Sequence, residues 1–443
     1  MNVELSGPAV PRALASPLAV AGCATAAVAR CLDAAADLAE ARTGRRPAVA
    51  LDTAHVAAAV RAEALLRDPA GEGIGGFAPL SRLWPAADGW VRTHANYPWH
   101  LAALLAALGT DEAGVAAAIA DRPAEEVERL VYDAGGLAVA ARDPGRWPDP
   151  EPGAPLVRTT PLTAATPLPA AARLPAAVGL PGAAGLPGAA AGSLPAAGVR
   201  VLDLTRVIAG PAGTRMLGAL GADVLRVDHP ARPELPMHAV DGVVGKASTL
   251  LDAGTPTGLD TLHRLLDRAD VLVTGYRPGA LRRFGLDPDQ VADRHPGTVV
   301  VTLSAWGTTG PWGARRGFDS LVQVATGIAR RTQDGAGRPG ALPCQLLDHA
   351  TGYLAAAGAL AALTERARTG VAAHVEVSLA RTAHWLLDTP ADPDPPRDTP
   401  VAPYLVPLGN GWTGVSPPGT IDGAPLAWPH LPPSYGTAAA AWG

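Results

Sequence analysis

The sequence predicts an α/β protein, a doubly wound parallel sheet joined to a smaller α+β domain placed N-terminally. Three observations predict it. Short apolar runs alternate with helical stretches after residue 198; a stretch rich in proline, glycine and alanine divides the chain; and an alanine-rich segment near the start recurs near the end. At 443 residues there is room for about three domains of ordinary size. Hydrophobic residues make up 48%, enough for a sizeable core.

Taken in order, 199–204 reads as an apolar strand that Gly210-Pro211 ends, and 212–220 as a helix. Gly221-Ala222-Asp223 turns into a strand at 224–227. A helix around 259–266 precedes a strand at 271–274, and a short helix near 288–292 precedes another at 299–304. Strands and helices in this rhythm build a parallel sheet, whose ligands lie beyond the carboxyl ends of the strands. The turns 205–211, 275–279 and 306–313 are therefore the ligand-facing loops. Upstream, 149–197 reads as a linker. Its core, 180–190, repeats Leu-Pro-Gly-Ala-Ala without an amphipathic period, and proline and glycine at that density build no packed element.

The N-terminal part carries a repeat. Ala41-Arg42-Thr43-Gly44 recurs as Ala367-Arg368-Thr369-Gly370, an offset of 326. At that offset Ala24-Thr25 matches Ala350-Thr351, Val49 matches Val375, and Ala54 and Ala57 match Ala380 and Ala383. Both copies read as an alanine-rich helix, a Thr-Gly stop, a strand and a second helix. Asp348 falls on Gly22, so whatever Asp348 does, the first copy has lost. The domains are then 1–66, a degenerate repeat of 348–388; 67–148, the small α+β domain; 149–197, the linker; 198–388, the doubly wound domain; and 389–443, a tail.

Several classes are excluded or disfavoured. Net charge is −5 without a strongly basic patch, which argues against a general nucleic-acid binder; Lys246 is the only lysine among 36 basic residues, a bias toward arginine read as genome composition. Cys23, Cys31 and Cys344 form neither a disulfide framework nor a zinc spacing. No apolar run reaches the roughly 18 residues of a membrane span; 352–363 comes nearest. Arg12 and the apolar stretch ending Val20-Ala21-Gly22-Cys23 imitate a lipoprotein signal, but Glu4 and Pro17 do not suit one. The P-loop, the Gly-x-Ser-x-Gly elbow, zinc-protease motifs and the dinucleotide fingerprint are all missing. Among the acids Asp348 is singled out, because it opens an apolar helix whose dipole would keep a carboxylate ionised. The plain alternative is an N-cap.

Val201-Leu202-Asp203-Leu204-Thr205-Arg206-Val207-Ile208-Ala209-Gly210-Pro211, then Leu220-Gly221-Ala222-Asp223-Val224, resemble the class III CoA-transferase family. Ala269-Asp270-Val271-Leu272-Val273, Arg277-Pro278-Gly279-Ala280-Leu281, Gly317-Phe318-Asp319 and Arg368-Thr369-Gly370 continue the likeness in order. That family includes formyl-CoA and carnitine CoA-transferases and has acyl-CoA racemase relatives. The resemblance implies a CoA-binding doubly wound domain with Asp348 as catalytic nucleophile, coenzyme A as substrate, no permanently bound cofactor and no metal. It implies CoA contacts at Val207, Ile208, Tyr276 and Arg283, and a glycine loop at Gly73, Gly75 and Gly76 closing over the acyl group. In the family the small domain follows the catalytic half; here it comes first.

Cytoplasmic acyl-CoA metabolism and a homodimer are implied as well, since members interlock in pairs, unless the N-terminal repeat supplies that interface within one chain. Racemase relatives carry a histidine where Phe318 stands, and His349 is a poor substitute because adjacent helix residues point apart, so transfer is favoured over racemisation. Two family features differ: Asn-Lys-Arg-Ser appears as Gly245-Lys246-Ala247-Ser248, and Gly275 replaces an asparagine. A catalytically weak CoA-binding or scaffold protein is the alternative.

Overall fold

The computed structural model describes residues 2–147, 149–164, 194–429 and 434–443. The chain opens with β1 (Val3–Ser6), α1 (Val20–Thr43), β2 (Val49–Asp52), α2 (Thr53–Ala59) and α3 (Ala62–Leu65). A small unit follows, made of β3 (Leu83–Ala86), β4 (Gly89–Thr93), α4 (Pro98–Leu108), α5 (Val115–Ala120), α6 (Ala124–Asp133) and β5 (Ala138–Ala140). Its antiparallel sheet, in the order β3-β4-β5, covers an apolar core that includes Leu104, Ile119, Val127 and Val131.

The main sheet comprises β6 (Arg158–Ala164), β7 (Arg200–Leu204), β8 (Asp223–Asp228), β9 (Ala247–Leu250), β10 (Val271–Thr274), β11 (Val299–Ser304) and β12 (Val371–Ser378). Its order is β6-β12-β11-β10-β7-β8-β9, parallel throughout except for β6. The doubly wound sheet read from the alternating pattern is thus present, and β10 and β11 lie at the residues the sequence predicts. Its helices are α7 (Ala209–Ala219), α8 (Pro236–Asp241), α9 (Pro256–Leu266), α10 (Pro288–Arg294), α11 (Asp319–Ala325), α12 (Ile328–Arg331), α13 (Leu346–Thr369) and α14 (Leu379–Asp388). The tail adds β13 (Leu405–Gly409), β14 (Trp412–Val415), β15 (Thr420–Ile421) and β16 (Ala424–Pro425).

Three readings need adjustment. Helix α7 begins at Ala209 and includes Gly210-Pro211, because the first turn of a helix has no use for its N–H groups and accepts proline there. Within the stretch read as a linker, Arg158–Ala164 forms an edge strand; the repeat core at 180–190 lies outside the described residues. And α13, at 24 residues, is long and apolar enough by length and composition to cross a membrane, beyond the shorter run seen in the sequence. It is instead wrapped by α1, α7, β11 and β12. Cys23 is buried within α1.

Glycines bring α7 and α13 together. A Cβ on Gly213 would lie 2.4 Å from the Gly352 carbonyl oxygen, and one on Gly352 would lie 2.2 Å from that of Ala209. Any larger residue would force the helices apart. The nucleophile candidate, one turn before Gly352, is thereby set beside the loop that follows β7.

Candidate active site

The strand order reverses between β7 and β10, and loops leaving such a switch point form the ligand crevice of a doubly wound sheet. Val207 and Ile208 leave β7, and Tyr276 leaves β10 two residues after Thr274, which pairs with Leu204. Val207 holds φ at +68°, a region that β-branched residues rarely adopt. Its N–H donates to Glu234 Oε2 at 3.1 Å. Buried Glu234 also accepts from Arg226 Nη2 at 3.0 Å, from Arg206 and from the Tyr97 hydroxyl. Burial alone would raise the Glu234 carboxyl, but Arg206 and Arg226 outweigh it and hold it down at about 2. Ile208 is buried as the N-cap of α7. Tyr276 is 39% exposed.

Beneath this loop the lone lysine is fully buried. Lys246 Nζ donates to Asp203 Oδ2 at 2.8 Å and to Thr214 Oγ1 at 2.6 Å, tying β7, α7 and the start of β9 together. Asp203 is held below the usual carboxylate range: burial pushes it up, and Lys246 with Arg226 overrides that.

Asp348 lies in the first turn of α13, 7% exposed. Its backbone N–H donates to Asp319 Oδ2 at 3.0 Å, and among the described residues its own carboxyl has no hydrogen-bond partner. Asp319 leads α11 and accepts from the Gln323 side chain. Next to Asp348, His349 Nε2 donates to Glu63 Oε2 at 2.8 Å; Glu63 is carried by α3 in the N-terminal part. The helix dipole was expected to keep Asp348 ionised, and the opposite holds. Burial, then Asp319, then Glu63 push its carboxyl well above the usual range, and burial raises Asp319 too. Two acids and lost water outweigh a dipole effect of about 1 kcal/mol.

The glycine loop reaches this centre through aromatic rings. Gly75 and Gly76 adopt φ of +99° and +118°, and a Cβ on Gly75 would strike the Met237 sulfur at 2.4 Å. Gly73 precedes them on the same exposed loop. Phe77, next in the chain, meets the His94 ring edge-on at 6.1 Å, and His94 stacks at 3.9 Å on Phe318, the neighbour of Asp319. Burial holds His94 neutral, its pKa lowered to about 3. A histidine thus stands against Phe318, although the sequence places none at that position. Buried polar atoms without partners among the described residues gather here: His94 Nδ1, His349 Nδ1, His238 Nδ1 and Gln345 Oε1. Unpaired groups of this kind suit a polar ligand. Arg283 stands apart, exposed on a short 3-10 turn with its guanidinium 4.5 Å over Phe284.

The site therefore joins Asp348 to four side chains that the sequence did not single out as site residues: Asp319, Glu63, His94 and Glu234. Gly317-Phe318-Asp319 carried the one usable signal, an acid inside a matched motif. Glu63 gave none, since its partner is 286 positions away.

Residues 196–393 match the family described as CoA-transferase family III. That segment carries the chain's likeness to the family. It is 36% identical over 198 residues to a probable fatty acyl-CoA transferase of Mycobacterium tuberculosis, covering 42% of this chain and 50% of that protein. It is 32% identical over 209 residues to the (R)-2-hydroxy-4-methylpentanoate CoA-transferase of Clostridioides difficile, covering 43% and 52%. A crystal structure of the mycobacterial protein aligns with a TM-score of 0.42 at 36% identity, over 44% of this chain and 55% of that one. The chain spans about half the length of the curated relatives it matches. The family III segment contains Asp348, Asp319, Val207 and Lys246, whereas Glu63, Gly75, His94 and Tyr97 lie outside it.

Proposed function

We propose that the chain transfers coenzyme A between an acyl-CoA thioester and a carboxylic acid, as an enzyme of cytoplasmic acyl-CoA metabolism, with Asp348 as nucleophile. The observation that carries this reading is a buried, unpartnered Asp348 carboxyl in the first turn of α13, within a family III segment and beside the loop leaving β7. CoA lies along the switch point against Val207, Ile208 and Tyr276, with Arg283 toward its phosphates. The loop at Gly73, Gly75 and Gly76 covers the acyl group, where backbone N–H groups meet the developing oxyanion. The small α+β domain at 67–148 precedes the transferase domain, rearranged relative to the family.

The ionised Asp348 oxygen attacks the thioester carbonyl, the C–S bond breaks, and the CoA thiolate leaves a mixed anhydride. The thiolate then attacks the aspartyl carbonyl, expelling the donor's carboxylate and forming aspartyl-CoA. The incoming carboxylate attacks that thioester to give a second anhydride, and the thiolate takes its acyl group, which restores Asp348. The raised carboxyl suits the attacking step, because a poorly stabilised carboxylate is a strong nucleophile once ionised.

The test is intact-protein mass after incubation with a panel of acyl-CoA thioesters and hydroxylamine, with Asp348→Ala alongside. A hydroxamate at Asp348 in the wild type alone supports transfer and names the donor. CoA binding without label supports a binding protein, and no binding at all sinks both.

A further inference from the structure

The repeat in the sequence extends, in three dimensions, to strands that share no sequence. Helices α1 and α13 are each 24 residues long, end on a left-handed glycine (Gly44 and Gly370, both φ +77°) and pack along one another. Each leads into a strand and a helix, β2 with α2 and β12 with α14. Parallel to these run β1 and β11, with Val3 opposite Val49 and Val301 opposite Val375. An antiparallel strand closes each group on the other side: Ile421 faces Val49 and Thr420 faces Ala50, while Thr159 faces Val375 and Arg158 faces Glu376. Position for position, the two registers agree at the offset of 326. The closing strands are exchanged. β6 follows the N-terminal unit and completes the C-terminal one, and β15 does the reverse.

The units differ where the long helices start. In α13 the N–H groups of Leu347 and Asp348 donate to Asp319. Their equivalents in α1, Ala21 and Gly22, donate to Asp392, each at 3.2 Å. An acid that receives the helix amides is therefore present in both units. The nucleophile is not: position 22 is glycine, and a Cβ there would lie 2.8 Å from Asp392 Oδ1. The N-terminal unit has also turned outward chemically. Its Glu63, 9% exposed, reaches into the other unit and accepts from fully buried His349. That bond pins the first turn of α13, in which Asp348 precedes His349; Asp319, His238, Arg215 and Cys344 are among the other titratable groups around it.

We propose that residues 1–66, closed by β15, are a decayed second transferase unit that acts as the built-in partner of the C-terminal unit, with Glu63 as a positioning residue that holds Asp348 through His349. The role of Asp348 in this statement rests on the proposed function; the pairing of units does not. One chain then contains both halves of a pair and one working site, and α13 is packed along α1 of the same chain.

Light scattering and acyl-CoA labelling with hydroxylamine test both parts, on the full chain and on Glu63→Gln and Glu63→Leu. The expected results are a particle of one chain, 44.8 kDa, and one hydroxamate per chain. Rates are compared on the high-pH plateau, where Asp348 is ionised in every variant; there Glu63→Gln, whose amide oxygen still accepts from His349, labels close to the wild-type rate. Glu63→Leu labels about tenfold slower or worse at unchanged KM for the acyl-CoA and unchanged circular dichroism. A stable two-chain particle overturns the built-in partner, and Glu63→Leu labelling at the wild-type rate overturns the positioning role. A one-chain particle that takes no label overturns the transfer reading, and the role of Glu63 with it, while the built-in partner stands on the mass. If Glu63→Leu does not fold, Glu63→Gln decides the role: a tenfold loss there shows that accepting a bond is not what Glu63 supplies.

Discussion

Asp203 and Asp348 are both buried acids of the same domain, yet their surroundings drive them in opposite directions. Asp203 accepts from Lys246 Nζ, Thr214 Oγ1 and the Thr205 N–H, so its charge is fully met. Asp348 faces Asp319 and Glu63 and accepts from none of the described residues. Burial is common to both and cannot distinguish them; the sign of the neighbouring charge does. A buried acid with a cation beside it is a fastener, and one with acids beside it is a loaded group whose instability is available to chemistry.

Breaking the first region has the largest expected effect. Lys246→Met strands the Asp203 carboxylate in the core and lowers unfolding stability by about 3–5 kcal/mol, read by urea denaturation. Next come opposite pH slopes. Glu234 is held at about 2, so its ion pairs stabilise the fold above the ordinary carboxylate range and lose that contribution as pH falls toward 2. The stability gap between wild type and Glu234→Gln therefore closes in acid. Asp348 is held high, so wild type is favoured at low pH and loses stability as pH rises through the folded carboxyl's pKa. Asp348→Asn gains on wild type as pH rises, and parallel slopes for the two variants would erase the contrast between the regions.

Smaller effects sharpen it. Labelling of Asp348 requires its ionised form, so the rate climbs with pH to a midpoint well above the usual aspartate range. Asp319→Asn removes the first charged neighbour and lowers that midpoint, measured by a pH profile of hydroxamate formation. The smallest change is Val207→Gly, which relieves the left-handed backbone and adds about 1 kcal/mol of stability while weakening CoA binding in calorimetry.

The sheet was legible because β10 and β11 are continuous apolar runs between clear turns, which is how strands buried on both faces read. The start of α7 was misjudged because glycine and proline break a helix anywhere but its first turn. At the candidate site, Asp348 and the loop at Val207 were singled out through local strings. Glu63, His94 and Glu234 were not, since each acts through a partner far away in the chain, and neither periodicity nor spacing encodes such a meeting. The charge state of Asp348 was misread for the same reason: the helix end is local, and the two opposing acids are distant or folded in from other elements.

The contact between Gly213 and Gly352 has a consequence for how the protein can change over time. Because main chain touches main chain there, the span from the loop after β7 to Asp348 is fixed by peptide geometry alone. Side chains lining the crevice can be exchanged for larger or smaller ones, altering which ligands the proposed transferase site admits, while that span stays constant. Substrate range and reaction geometry are thus inherited separately, and drift in the first leaves the second untouched as long as both glycines remain.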